Sequence, residues 1–436
     1  MKRHPTLFIL RSKFWFIPAI YGVFSILIAC LSVFLDYYLN SQFLPAFLFV
    51  DLALAHTLLS TITSSLLTMT TISFSTIMVV LTTYLSQFSP RTMQDFMTDV
   101  YTQRILGVFI GGFLYALILL LLLKDTNEEL LFISPTLAVV YAMVCVGYFV
   151  FFVHHVGRWI QVSNLIHHIT QNTIESIHHN YEDSSDQVAD EPWKDWESED
   201  VKLVDPIHLQ SKQSGYLLVI ELDELIEQAT QDDLIVRIEV GLGDFLEEGM
   251  ILLSIWGRKS HLEPTLYERF FHVGEERATI QDIDFGLTKL VEISLRALSS
   301  GINDPNTAIS GIRALARILT VLAKKNLHRS FYNDSHQALR VIVQQRHFKD
   351  YLYKCYYQIR SPGTEDVSVL AAMIDSLQLI ASQNDKQIKK TIWEFSWYIQ
   401  EGIKKEEMLE LDRLYLNEKI QKLAIQTEQS EHYQPI

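Results

Sequence analysis

The sequence predicts an α-helical membrane protein, four transmembrane helices followed by a cytoplasmic α+β domain. Three observations carry the prediction. Four apolar stretches upstream of His154 are each long enough, at ~1.5 Å per residue, to cross the ~30 Å of bilayer hydrocarbon. Residues 181–205 then hold ten Asp or Glu and two Lys with little apolar periodicity, the mark of a flexible, self-repelling linker. Beyond them the apolar pattern alternates with period two, then returns to helical spacing. The expected layout is a transmembrane domain with a cytoplasmic helical extension at 1–180, then the linker. A small β-rich, barrel-sandwich-like module at 206–275, a helical hairpin at 276–328 and a helical bundle at 329–436 follow.

Composition narrows the function. Hydrophobic residues are 49% of the 436, because one half of the chain is apolar and the other is not. A net charge of −15 argues against nucleic acid as a partner, where a basic face is expected. Cys30 and Cys145 lie in apolar stretches and Cys355 far downstream, so neither a disulfide framework nor a cysteine zinc site is expected. Three His-His pairs, at 154/155, 167/168 and 178/179, are expected at the cytoplasmic surface. His168 and His179 share a helix face, but ~16 Å of rise separates them, too far to hold one metal. No cofactor and no metal are expected. P-loop, G-x-S-x-G, H-E-x-x-H and C-x-x-C patterns are absent, and no catalytic residue is assigned.

The first span runs from Phe14 to about Leu35, behind Lys2, Arg3, Arg11 and Lys13. Leu27-Ile28-Ala29-Cys30 has the look of a lipoprotein cleavage box. The apolar run continues to Leu35, however, too long for a signal peptide, so a retained helix is expected. The loop 36–56 has Asp36 and Asp51 but no Lys or Arg, which places it outside and the N-terminus in the cytoplasm. After the second span an interfacial helix is expected, with Met93, Phe96, Met97, Val100 and Tyr101 on one face. The third span, Ile105 to Leu123, carries Gly107 and Gly111 as a small-xxx-small packing pair. The fourth, Leu130 to about Val153, leaves both termini in the cytoplasm.

The second span is organised differently. From Thr57 to Ser89, 16 of 33 residues are Ser or Thr, with no charge and no Gly or Pro. Thr57, Thr61, Ser64, Thr68, Thr71, Ser75, Thr82 and Ser86 step by three, four or seven, so at ~100° per residue they form one stripe. The opposite face carries Leu59, Ile62, Leu66, Ile77, Val80 and Tyr84. Two readings compete. Small hydroxyl residues let helices approach and bond back to the carbonyl four residues earlier. Alternatively, several copies line a water-filled path with the stripe, and Met78 and Val79, which interrupt it, form a hydrophobic constriction.

In the second half, GYLLVIE, LIVRIEV and MILLSIW read as strands, with Val236, Ile238 and Val240 on the buried side. Gly241-Leu242-Gly243-Asp244 turns the chain. Thr279 is expected to cap a helix with Asp282 three residues on, and Gly301 to take the left-handed position after it. Asp304 then caps the next helix with Pro305 at its first position. The turn points backbone N–H groups toward one spot, so Asn303, Asp304, Asn306 and Thr307 are a candidate anion or ligand turn. A well-capped helix pair is the plainer reading.

Four stretches taken together resemble a known family. They are SQFSPRTMQDFM with LGVFIGGFLYALILL, HHVGRWIQVSNLI, SGYLLVIELDELI with VGLGDFLEEG, and GEERATIQDIDFGLTKLVEISLRALSSGINDPNTAI. Their order and content are similar to a family of predicted bacterial membrane proteins catalogued as domain of unknown function twenty-two fifty-four. The resemblance covers nearly the whole chain and departs at Ser300, often Pro in the family, and Asn306, often Phe. It implies a multi-pass protein of the bacterial inner membrane and brings no reaction to transfer.

The leading expectation is a homo-oligomeric, channel-like conduit in the lipid bilayer, lined by the second span and assembled or gated by the cytoplasmic domain. Inorganic ions are its expected cargo, with Asp36, Asp51, Glu128 and Glu129 favouring cations at the mouth. The alternative is a membrane-anchored sensor or scaffold whose cytoplasmic domain binds a ligand or partner.

Overall fold

Helices dominate both units into which the chain divides, Met1–Asn164 and Leu165–Ile436. The computed structural model describes residues 13–38, 45, 48–123, 132–183, 205–257, 264–277, 282–327, 330–344 and 346–436. The first unit contains α1 (Phe16–Tyr38), α2 (Leu52–Gln87), the five-residue α3 (Met93–Met97), α4 (Val100–Leu122) and α5 (Ser134–Trp159). All but α3 are long and apolar enough to cross a membrane. α4 is the axis, with 56% of its apolar window buried against 33% or less in the others. Glycine makes this possible. A Cβ on Gly107 would lie 2.9 Å from the Tyr21 ring, and one on Gly111 2.5 Å from Ser25 Oγ and 2.6 Å from the Tyr141 hydroxyl. α1 and α5 therefore close on α4 at backbone distance.

Carboxylates fix the helix ends of this unit. Asp51 accepts the Leu54 N–H at 2.8 Å and caps α2. Asp36, at the end of α1, accepts the N–H groups of Ile133 (2.9 Å) and Ser134 (3.1 Å) and so caps α5. Asp99 accepts the Thr102 N–H at 2.8 Å and starts α4. The interfacial helix expected across 90–104 is therefore broken at Thr98 and Asp99. Phe96 packs inward, while Val100 and Tyr101 open the next span.

The second unit begins inside α6 (Val162–Asn180), whose Leu165, Ile166, Ile169 and Ile177 are buried. The acidic linker lies almost wholly outside the described residues. Among the described residues eight strands follow: β1 (Ile207–Gln210), β2 (Gly215–Ile220), β3 (Ile235–Ile238), β4 (Phe245–Leu246), β5 (Ile251–Trp256), β6 (Phe271–Gly274), β7 (Phe331–Asn333) and β8 (Leu339–Ile342). They form a five-stranded sheet, β1-β5-β3-β8-β7, and a three-stranded sheet, β4-β2-β6. With α7 (Leu222–Asp232) the two sheets share one apolar core containing Leu217, Leu225, Val236, Ile238, Leu253 and Val341. The alternation read from the sequence holds: Val236, Ile238 and Val240 are buried, while Arg237 lies over the Trp256 ring. Pairing is antiparallel except between β3 and β8, which run parallel. The β-rich part thus draws two strands from beyond residue 275, out of a stretch expected to be helical.

α8 (Ile283–Ala297) and α9 (Pro305–Leu322) make the hairpin, burying Leu287 and Leu290 against Ile312, Leu315 and Leu319. Thr279 lies outside the described residues, and Asp282 itself caps α8 through the Phe285 N–H at 3.1 Å. Gly301 is not the left-handed residue. Asn303 is, at φ 50°, a conformation Asn tolerates better than other side chains. α10 (Phe348–Gly363), α11 (Val367–Ser382), α12 (Lys386–Gln400) and α13 (Glu410–Gln426) complete the unit.

Candidate functional site

The hydroxyl stripe lies on the outer face of the first unit. Thr57, Thr61, Ser64, Thr68, Thr71, Ser75, Thr82 and Ser86 are all exposed, while Ala55, Leu59, Leu66, Ser73, Ile77, Val80 and Tyr84 on the opposite side are buried. Met78 and Val79, at 62% and 63% exposed, stand in the stripe rather than behind it. Tyr84 pins the far end of the helix by donating to the Trp159 carbonyl at 2.7 Å.

Six of the eight hydroxyl protons are already committed. Thr57, Thr61, Thr68, Thr71 and Thr82 donate to carbonyls four residues earlier at 2.8–2.9 Å, and Ser86 to the Thr83 carbonyl at 3.1 Å. For these six, the bond back along the helix that the packing reading expects is made, so their donors need no outside partner. What the bonded threonines still offer outward is oxygen lone pairs, a line of acceptors with few donors.

Two of the acids assigned to an external mouth do other work. Asp36 and Asp51 are helix caps, and Glu128 and Glu129 lie outside the described residues. At the opposite end of the bundle His155 leaves the expected surface. Its Nε2 is 2.9 Å from Asp99 and 3.2 Å from Thr102 Oγ1, and its ring stacks on Phe151. Burial works to raise the Asp99 carboxyl, but the His155 and Thr102 bonds outweigh it and hold the group below its usual range.

In the second unit the turn of Asn303, Asp304, Asn306 and Thr307 is internally saturated. The Ile302 and Asn303 N–H groups donate to the Ser299 carbonyl, and that of Asp304 to Ala297. The Asp304 carboxylate takes the Thr307 N–H at 3.1 Å and its hydroxyl at 2.6 Å, occupying the place an anion would take. The geometry is that of a capped helix pair.

A polar network that spacing did not suggest is built at the other end of α8. The Gly241–Asp244 turn, the start of α8 and α10 converge on Asp282 and Asp284. Arg277 holds Asp282 at 2.8 Å through Nε. Arg346 pairs with Asp284, which also receives Lys354 at 3.0 Å, and Arg346 reaches Asp244 at 3.6 Å. Gly243, at φ +81°, lets the turn lie against this pair, since a Cβ there would strike the Asp282 carboxylate. Asp284 Oδ1 is buried with no hydrogen-bond partner among the described residues. Burial raises the Asp282 carboxyl despite Arg277, and raises the bonded phenols Tyr181 and Tyr351. The available sequence signal was Asp284 itself, a carboxylate on the apolar face of α8.

Lys354 is pushed down to about 8, by burial first and then by Arg277 and Arg346. Between about 8 and the ordinary lysine value near ~10.4, the unfolded chain holds a proton that the folded site has released. Stability therefore rises with pH across that window. Melting of the wild-type chain and K354M, followed from about pH 7 to about pH 10, checks this. The wild type should gain on the variant as pH climbs; parallel curves would refute it.

Together the two units define a four-span membrane protein that carries a mixed α/β domain. The chain belongs to the family described as predicted membrane protein (DUF2254), whose profile matches residues 11–378. It is 29% identical over 336 residues to the uncharacterized proteins Rv1290c of Mycobacterium tuberculosis and Mb1321c of Mycobacterium bovis. Those matches cover 75% of this chain and 64% of each relative's length. No solved structure matches it.

Proposed function

We propose that this protein is a homo-oligomeric, channel-like conduit of the bacterial inner membrane, lined by α2 and selective for small inorganic cations. The observation that carries the reading is the outward placement of all eight hydroxyl residues on a helix whose opposite face is buried. Copies arranged around an axis would turn these faces toward one another. Because the bonded hydroxyl protons point back into the helix, the path would present oxygen acceptors, which favour cations over anions. Cation preference then rests on the stripe and not on the capping acids. Lys13, Arg91, Arg104 and Arg158 lie at the end of the bundle where Tyr84 meets Trp159 and Asp99 meets His155. The positive-inside rule directs that end, and with it the second unit, to the cytoplasm.

Val79 and Met78 would form the constriction. Val79→Ser in vesicles containing the full chain should raise cation flux about tenfold, the factor that ~1.4 kcal/mol of dewetting barrier represents. Cysteines placed at Thr68 and Ser75, with Cys30 replaced, should react with charged, membrane-impermeant thiol reagents. Unchanged flux together with unreactive cysteines would end the conduit reading.

A second reading, a membrane-anchored sensor, is favoured by one observation, the unpartnered Asp284 oxygen inside a network of three cations. A fragment spanning 165–436 would then be stabilised by a ligand with a donor or cationic group, and Asp284→Asn would remove the effect. Identical melting of both proteins across a metabolite panel would discard it.

A further inference from the structure

A second surface of the first unit is grooved. Between α4 and α5 runs a groove of about 510 Å³, bordered by Tyr101, Arg104, Val144, Tyr148 and Phe151. Ile105 is buried at its edge, whereas Tyr101, Val144, Tyr148 and Phe151 are all exposed. Gly147 leaves the groove open, since a Cβ there would meet nothing within 4 Å. The walls are thus apolar and aromatic over the start of α4, Tyr101 to Ile105, and about two turns of α5, Val144 to Phe151.

One end of the groove is different. Arg104 sits one turn inside α4, exposed, and among the described residues it has no carboxylate or other hydrogen-bonding partner. The nearest carboxylate in sequence on that helix end, Asp99, is already held by His155 and Thr102. Tyr101 and Tyr148 flank the arginine, amphipathic rings of the kind that settle at headgroup level. An unpaired guanidinium at the basic end of a span, above a lipid-depth apolar slot, matches a diacyl molecule with an anionic head. We infer that this groove binds an anionic phospholipid, its phosphate on Arg104 and an acyl chain along Val144, Gly147 and Phe151. A soluble phosphate would have no use for the slot. A neutral lipid would have no use for the arginine.

The test uses the full chain in neutral detergent. Phosphatidylglycerol and phosphatidylcholine with the same acyl chains are added, and lipid retention is read by native mass spectrometry beside thermal melting. Phosphatidylglycerol should be retained preferentially and raise the melting temperature. R104Q should weaken retention about tenfold or more, as one lost charge-assisted contact implies. G147L, which projects a side chain into the slot from a position where a Cβ meets nothing within 4 Å, should weaken it too, while R158Q, outside the groove, should not. If R104Q fails to fold, the comparison of the two lipids on the wild type and on G147L still decides. Equal retention of both lipids, undiminished retention by G147L, or equal stabilisation by glycerol phosphate overturns the proposal. So does a change of oligomer mass in G147L without loss of lipid, which would make the groove a contact between copies.

Discussion

A fragment that begins at Asp205 is expected to stay unfolded or aggregate, whereas one that begins at Leu165 folds. The acidic linker looks like the natural place to divide the chain, but α6 lies before it and belongs to the second unit. Leu165, Ile166, Ile169 and Ile177 are buried there, and Thr173 fills the space left by Gly286. Tyr181 bonds Tyr351, the Glu182 carbonyl accepts the Asn326 N–H at 2.9 Å, and Asp183 pairs with Lys325 at 2.8 Å. At ~1.5–3 kcal/mol for each buried aliphatic side chain, losing four removes an amount comparable to the ~5–15 kcal/mol that stabilises a domain. Circular dichroism melts of the two fragments decide it; a cooperative transition in the shorter one at an unchanged temperature would show that α6 is dispensable.

Gly111→Leu is expected to prevent recovery of a folded first unit, and Gly111→Ala to cost about 1–3 kcal/mol. The reason is geometric. Ser25 and Tyr141 bond each other at 3.2 Å across α1 and α5, and both lie closer to a Cβ at 111 than non-bonded atoms can. Any side chain there must part three helices at their crossing. Gly147 and Gly157 supply the control, because a Cβ at either meets nothing within 4 Å. Size-exclusion profiles and detergent melts should separate Gly111→Leu from Gly147→Leu; closely similar behaviour would mean that the crossing is loose.

The spans were legible because length and apolarity set them and little else competes. The split of α2 into two faces was legible for the same reason, since a period of 3.6 needs no partner to be read. Asp304 and Pro305 were legible because caps act within one turn. Effects that depend on distant residues were hidden. Whether Asp36 serves a mouth or a helix end is settled by Ile133 and Ser134, about a hundred positions away along the chain. His155 looked like a surface residue until Asp99 was placed beside it. The network around Asp284 joins residues from a turn, a helix start and α10, so no local spacing announces it. β7 and β8 are three and four residues long, too short for alternation to emerge from helical surroundings.

The parallel pairing of β3 with β8 carries a consequence for biosynthesis. β3 leaves the ribosome roughly a hundred residues before its neighbour exists, a long closure of the kind that slows folding. Throughout that interval one edge of the strand exposes free N–H and C=O groups, a template for pairing with any nearby chain. Productive assembly therefore requires the α8–α9 hairpin to deliver β8 promptly, and translation arrested between residues 240 and 340 should leave an aggregation-prone, membrane-tethered intermediate.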